Sequence, residues 1–175
     1  MRSWKLAIIG MAALLVLLAC GESANVGTTV AGGGKTSAST AVPKASAFKL
    51  GDIVKVGDWQ VTLNSVKSSA GGDFDTPKSG NVYLIVDATF QNISAKAQTL
   101  STLLQVNLKD STGQKYDTTI ASSVVTSSPD GDVNAGDMVR GQIVWEVPTA
   151  MKQFVFAFKS DVFSSGYSIW NIVRS

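Results

Sequence analysis

From Phe48 onward the apolar residues return at every second position, and this period constrains the fold more than any other feature of the chain. In "NVYLIVDATFQN" (81–92), Val82, Leu84, Val86, Ala88 and Phe90 share one face, and the opposite face turns polar at Asp87, Thr89 and Gln91. "MVRGQIVWEVP" (138–148) sets Val139, Ile143, Trp145 and Val147 against Arg140, Gln142 and Glu146. "QFVFAFK" alternates Phe154, Phe156 and Phe158, and "LLQVNLKD" alternates Leu104, Val106 and Leu108 with Gln105, Asn107 and Lys109. Side chains alternate across a strand, so each run reads as a half-buried antiparallel strand. Shorter candidates lie at 52–56, 58–66, 114–119 and 167–173. Turn formers separate them: Gly57-Asp58, Ser111-Thr112-Gly113, Asp130-Gly131 and Ala135-Gly136-Asp137. One helix-like spacing, Leu100, Leu103 and Leu104, predicts a single turn. The expectation is all-β: about eight short strands in two packed sheets, with a closed barrel as the alternative. No long amphipathic helix or βαβ rhythm supports a doubly wound fold.

The first twenty residues follow another logic. Arg2 and Lys5 precede a 14-residue apolar run, Leu6–Ala19, and then Cys20, the only cysteine of the chain. The run is short for a span of roughly 20 residues and has the layout of a secretory signal peptide. Leu17-Leu18-Ala19-Cys20 resembles the bacterial lipobox. The resemblance implies transfer of a diacylglyceryl group to the Cys20 thiol and cleavage between Ala19 and Cys20. Two or three acyl chains would then anchor the protein stably, where one is marginal. Residues 21–47 hold 19 Gly, Ala, Ser or Thr in 27 positions, with no aromatic residue, Leu or Ile. Such a segment buries too little apolar surface to offset its ordering entropy. It reads as a flexible tether with a reach of roughly 30 Å. The organisation expected is a signal peptide (1–19), a lipidated cysteine and tether (20–47) and a folded domain (48–175). "GGGKTS" (32–37) lacks the flanking strand and helix of a phosphate loop. "SAFK" (46–49) lacks the companion motifs of penicillin-binding enzymes.

Composition excludes several chemistries. The chain has no histidine, which removes the Ser-His and Cys-His pairs and most zinc sites. One cysteine allows no internal disulfide. The formal charge of +2 falls to about zero once Arg2 and Lys5 are removed, leaving 13 basic residues to 13 acidic ones. A balanced chain offers no electrostatic case for nucleic acid.

The remaining polar clusters are modest. Asp130, Asp132, Asn134 and Asp137 place oxygens at alternate positions, as calcium favours, and form a weak candidate site. Ala135 stands where an EF-hand loop needs Gly, and Gly141 where it needs Glu. Asp73 and Asp75, in "DFDTPKSG", mark a second acidic loop. The only glutamates are Glu22, in the tether, and Glu146, outward on a strand, so no carboxylate pair for glycoside hydrolysis emerges. Asp87 reads as a solvated strand position. Trp59, Trp145, Trp170, Tyr83, Tyr116 and Tyr167 could build an aromatic platform, although Trp145 alternates inward with the core. Asn92-Ile93-Ser94 is a glycosylation sequon of little weight in a bacterial lipoprotein.

Four segments, "VGDWQVTLNSV", "GNVYLIVDATFQNIS", "LKDSTGQKYD" and "NAGDMVRGQIVWEVP", occur in that order. The set resembles the telokin-like, immunoglobulin-fold bacterial domain of unknown function numbered 4352, over roughly residues 48–173. The resemblance implies an immunoglobulin-like antiparallel β-sandwich of about 7–9 strands, with no established catalytic activity and no catalytic residues to carry over. The inter-sheet cysteine pair of antibody domains is absent, so the core must hold by apolar contact alone. The functional expectation is a non-enzymatic module without cofactor. It would be anchored through Cys20 on the extracytoplasmic side of a membrane, at the cell surface or in the periplasm. It would bind an envelope protein, peptide or glycan, with Asp73, Asp75, Asp130 and Asp132 marking the candidate binding loops. A structural accessory subunit of an envelope complex is the second reading, and an envelope hydrolase the third. Cys20→Ala is expected to abolish incorporation of labelled fatty acid in cells; continued labelling would contradict the lipid anchor.

Overall fold

The computed structural model describes residues 47–163 and 166–175. The expected signal segment, Cys20, the "GGGKTS" motif and the tether up to residue 46 lie outside the described residues. The elements run β1 (Val54–Val56), β2 (Trp59–Ser69), β3 (Asn81–Asn92), β4 (Gln98–Leu100), the single helical turn α1 (Thr102–Gln105), β5 (Val106–Asp110), β6 (Lys115–Tyr116), β7 (Gly131–Val133), β8 (Met138–Pro148), β9 (Gln153–Phe158) and β10 (Ser168–Val173). Two four-stranded sheets form, in the orders β1-β2-β3-β8 and β10-β9-β5-β6, beside a two-stranded β4-β7 ribbon. All strand pairs are antiparallel. The chain leaves the first sheet after β3, lays down β5 and β6 in the second, returns for β8, and closes with β9 and β10. The result is the sandwich, not the closed barrel.

The inner faces carry the alternation read from the sequence. Leu84, Val86, Ala88 and Phe90 of β3, Ile143, Trp145 and Val147 of β8, and Phe154, Phe156 and Phe158 of β9 are all buried in one cluster. At its centre Phe156 is met edge-on by Trp145 of the opposite sheet, with ring centroids 6.0 Å apart, and by Trp170 of the neighbouring strand at 5.7 Å. Phe90 and Phe158 make a second inter-sheet pair at 5.3 Å. The two edge-to-face contacts of Phe156 each contribute about 0.5–1.5 kcal/mol beyond the area they bury. The indole Nε1 groups of Trp145 and Trp170 are buried without a hydrogen-bond partner among the described residues. The stack therefore holds against the desolvation of two donors, and apolar contact carries it.

Local polar features set the strand ends. Asp110 is buried at the close of β5, where its Oδ1 accepts hydrogen bonds from the Thr112 hydroxyl (2.6 Å) and amide (2.8 Å) and the Gln114 amide (3.1 Å). Its Oδ2 accepts one from the Tyr116 hydroxyl at 2.7 Å. The Thr112 and Tyr116 hydroxyls hold the carboxyl down at about 2 against the effect of burial. Burial first, then Asp110, push the Tyr116 phenol up to about 12. Asn92, the sequon residue, is fully buried; its Nδ2 donates to the carbonyls of Lys96 (2.7 Å) and Val133 (2.9 Å). It ties β3 to β7 and is inaccessible to a glycosyl transferase. Gly141, in mid β8, lies beneath Pro129, whose nitrogen would stand 2.4 Å from an added Cβ.

Two short strands, β4 and β7, occupy what reads in the sequence as loop. The alternation expected through Leu104 also fails there: Leu104 is exposed and Gln105 buried, because the strand begins only at Val106. Phe156→Ala is expected to cost about 3–5 kcal/mol, seen as a lower urea midpoint for unfolding; a loss below about 1 kcal/mol would contradict the central place given to this ring.

Candidate functional site

The helical turn α1 is inverted. A one-turn helix in a β-sandwich ordinarily turns its apolar side chains inward, yet Thr102 and Gln105 are buried while Leu103 is 70% and Leu104 56% exposed. Polar contacts hold it so. The Thr102 amide and hydroxyl donate to Asp130 at 2.5 and 3.0 Å. The Ser101 amide donates to Gln105 Oε1 at 2.8 Å. Gln105 Nε2 reaches the carbonyls of Lys159 (3.3 Å) and Ser160 (3.1 Å), and the Lys159 amide donates back to the Gln105 carbonyl at 3.0 Å. With its polar atoms bonded inward, the turn carries its two leucines outward as a ridge.

A depression borders the ridge on either side. Leu103 lines one of about 520 Å³, walled by residues 118–122 and 125–128. Leu104 lines another of about 690 Å³, with Asp58, Thr99, Ser160 and Val162. Ile120, 90% exposed, stands at the first. The wall segment is firmly placed. The Thr119 amide donates to the Val144 carbonyl (2.8 Å) and the Gln142 amide to the Ser127 carbonyl (2.8 Å). Ala121 enters a small second cluster with Tyr83, Ile85 and Val144 on the outer face of β3 and β8.

Several of the acidic residues singled out in the sequence serve this placement. Asp75 Oδ2 accepts from the Ser123 amide (2.7 Å), the Ser123 hydroxyl (2.9 Å) and the Ser122 hydroxyl (3.2 Å). The Ser123 amide foremost holds its carboxyl below the usual range. Asp130 anchors α1 and also accepts from the Ser128 hydroxyl. Asp132 accepts from Thr99 Oγ1 at 2.7 Å, and Asn134 Nδ2 donates to Asp137 at 3.1 Å. Asp73 is exposed. Of the calcium candidate, Asp130 and Asp132 thus bond different segments, while Asn134 and Asp137 bond each other. Residues 131–133 run as a strand beside β4. Among the described residues no group of three or more His, Cys, Asp or Glu is placed to hold a metal ion.

Other candidates also resolve into structure. Asp87 pairs with Arg140 Nε at 2.8 Å and accepts from Asn64 Nδ2 at 2.7 Å; burial raises its carboxyl, but these partners outweigh it and hold it below the usual range. Glu146 accepts from Asn81 Nδ2 (2.7 Å) and the Lys78 amide (2.9 Å). Trp59, Trp145, Trp170 and Tyr83 are buried, so the aromatic platform does not form. The ridge itself was the feature that sequence reasoning missed. The Leu100, Leu103, Leu104 spacing pointed to a turn, and only the polar identity of Thr102 and Gln105 could have signalled its inversion.

The domain of unknown function DUF4352 matches residues 48–169, and the chain belongs to this family. No curated protein matches the chain at significant similarity. Solved structures share the fold. A candidate lipoprotein (ycdA) of Bacillus subtilis superposes with a TM-score of 0.55 at 16% identity, over 68% of this chain and 38% of that one. The chain thus spans well under half of that protein. The yjhA protein of Bacillus subtilis gives 0.54 at 16% identity, over 73% of this chain and 98% of that one. A secreted protein of Mycobacterium tuberculosis, MPT63, gives 0.52 at 18% identity, over 72% of this chain and 98% of that one. In the last two the sandwich alone accounts for nearly a whole folded protein. Asp130→Ala removes both acceptors of Thr102 and is expected to cost about 1–2 kcal/mol, with faster hydrogen exchange at the Thr102 amide. Unchanged exchange would contradict the anchoring role.

Proposed function

We propose, with membership of that family as the premise, that the chain is a non-catalytic interaction module of the bacterial cell envelope that takes a protein or peptide partner on the α1 ridge. The carrying observation is the inversion: polar residues are buried and two adjacent leucines exposed where folding favours the reverse. Isolated exposed leucines are ordinary surface. Leucines raised between two depressions by a dedicated hydrogen-bond set are placed for contact. The ridge and Ile120 offer apolar surface, which suits apolar side chains better than glycan hydroxyls. Of the candidate carboxylates, Asp75, Asp130 and Asp132 accept internal hydrogen bonds, which favours binding over catalysis.

The extracytoplasmic address rests on the lipobox-like Leu17–Cys20 and is supported by neighbours described as a candidate lipoprotein and a secreted protein. Among the described residues no helix is long and apolar enough to cross a membrane. The lipid at Cys20 is the anchor in this reading, and the tether lets the domain search for its partner above the headgroups.

The test is a photoreactive residue at position 120 of the full chain in intact cells. A discrete adduct is expected with the native ridge and is expected to vanish with Leu103→Asp/Leu104→Asp. An adduct pattern indifferent to those two substitutions would overturn the reading.

A further inference from the structure

The two outer faces of the sandwich differ in kind. That of the first sheet is covered in part by residues 119–126 and carries the Asp87–Arg140 ion pair. Among the described residues, that of the second sheet has neither cover nor carboxylate. Its outward positions are Asn107 and Lys109 on β5, Lys115 on β6, Gln153, Val155 and Ala157 on β9, and Ile169, Asn171 and Val173 on β10. Asp117 and Asp161 lie beyond the strand ends. Lys109 and Lys115 stand directly opposite each other in the antiparallel register, and both are exposed. Like charges directly across a ladder oppose folding, so the pair calls for an anion outside the domain. Between the lysines and β10 lies a shallow depression of about 330 Å³, floored by Val155, Ala157 and Ile169 and edged by the half-exposed Tyr167. Aliphatic side chains and a tyrosine bordered by lysines are the chemistry of a membrane interface, where rings sit at headgroup level and ammonium groups meet phosphates.

The way the chain enters the domain points in the same direction. The Phe48 amide donates to the Ile169 carbonyl at 2.9 Å, so the chain arriving from the N-terminal side joins the domain at the β10 edge of this same sheet. We infer that the outer face of the second sheet docks on an anionic bilayer, with Lys109 and Lys115 on headgroup phosphates and Tyr167, Ile169 and Val155 against the interface. This contact is separate from the lipid at Cys20 and from the α1 ridge, and it leaves that ridge free for a partner.

The test uses the full chain with Cys20→Ser, which carries no acyl group, and sedimentation with vesicles of phosphatidylglycerol and phosphatidylcholine or of phosphatidylcholine alone. Binding is expected to the anionic vesicles only and to weaken with salt. Lys109→Gln/Lys115→Gln is expected to weaken it by about tenfold or more, with melting temperature unchanged or raised. Lys55→Gln/Lys67→Gln, on the other sheet, is the control and is expected to bind normally. Equal binding to both vesicle types, equal loss in the control, or capture by a soluble anionic polysaccharide in place of vesicles would each overturn the inference. A loss of affinity in the neutral ridge variant Leu103→Ser/Leu104→Ser would also overturn it, since the two surfaces would then not be separate.

Discussion

Phe156 holds the sandwich together. Antibody-type domains join their sheets with a disulfide at the centre; this chain has one cysteine, which can form no internal disulfide. In place of a covalent bridge, Trp145 from the first sheet and Trp170 from the neighbouring strand both meet the Phe156 ring edge-on. The other features depend on this contact. It fixes the spacing between β8 and β9, and hence where the chain beyond β9 presents the Lys159 and Ser160 carbonyls to Gln105. The α1 turn takes its orientation from those carbonyls and from Asp130.

The molecule divides its chemistry by layer. Apolar alternation builds the interior, and short polar side chains build the loops: Asp75 fastens 122–123, Asp110 closes a hairpin, Asn92 joins β3 to β7 and Asp130 holds α1. The three carboxylates accept from backbone amides that no strand pairs, and the Asn92 amide donates to backbone carbonyls. Of the acidic residues that mark candidate binding loops in the sequence, Asp75, Asp130 and Asp132 accept hydrogen bonds from other segments of the domain, and Asp73 is exposed. The surfaces proposed for partners are of another kind: the leucine ridge and the lysine-bordered face of the second sheet.

The long strands were legible because their period is strict. Val86, Ala88 and Phe90 could face only one way, and Arg140 and Glu146 only the other. Short elements were not, since three residues such as Gly131–Val133 carry too little pattern to separate a strand from a loop. Tyr83 and Ile85 extended an apolar run to the outer face of β3, but nothing local showed that Ala121, 36 residues on, would cover them. Trp170 sits in a run apolar on both sides, and the structure buries the Trp170 side while leaving Val173 60% exposed. The Leu103-Leu104 pair deceived for a physical reason. Leucine spacing predicts burial, but Thr102 and Gln105 had better partners inside than the leucines did, and four residues cannot bury both faces.

Leu103 and Leu104 stand exposed and contribute little to folding. The melting temperature of Leu103→Ser/Leu104→Ser tests this most directly. The account predicts a change of no more than about 0.5 kcal/mol in stability, the range of surface substitutions away from special features. A loss of several kcal/mol, the scale of deleting buried leucines, would place the two side chains in the core and contradict it.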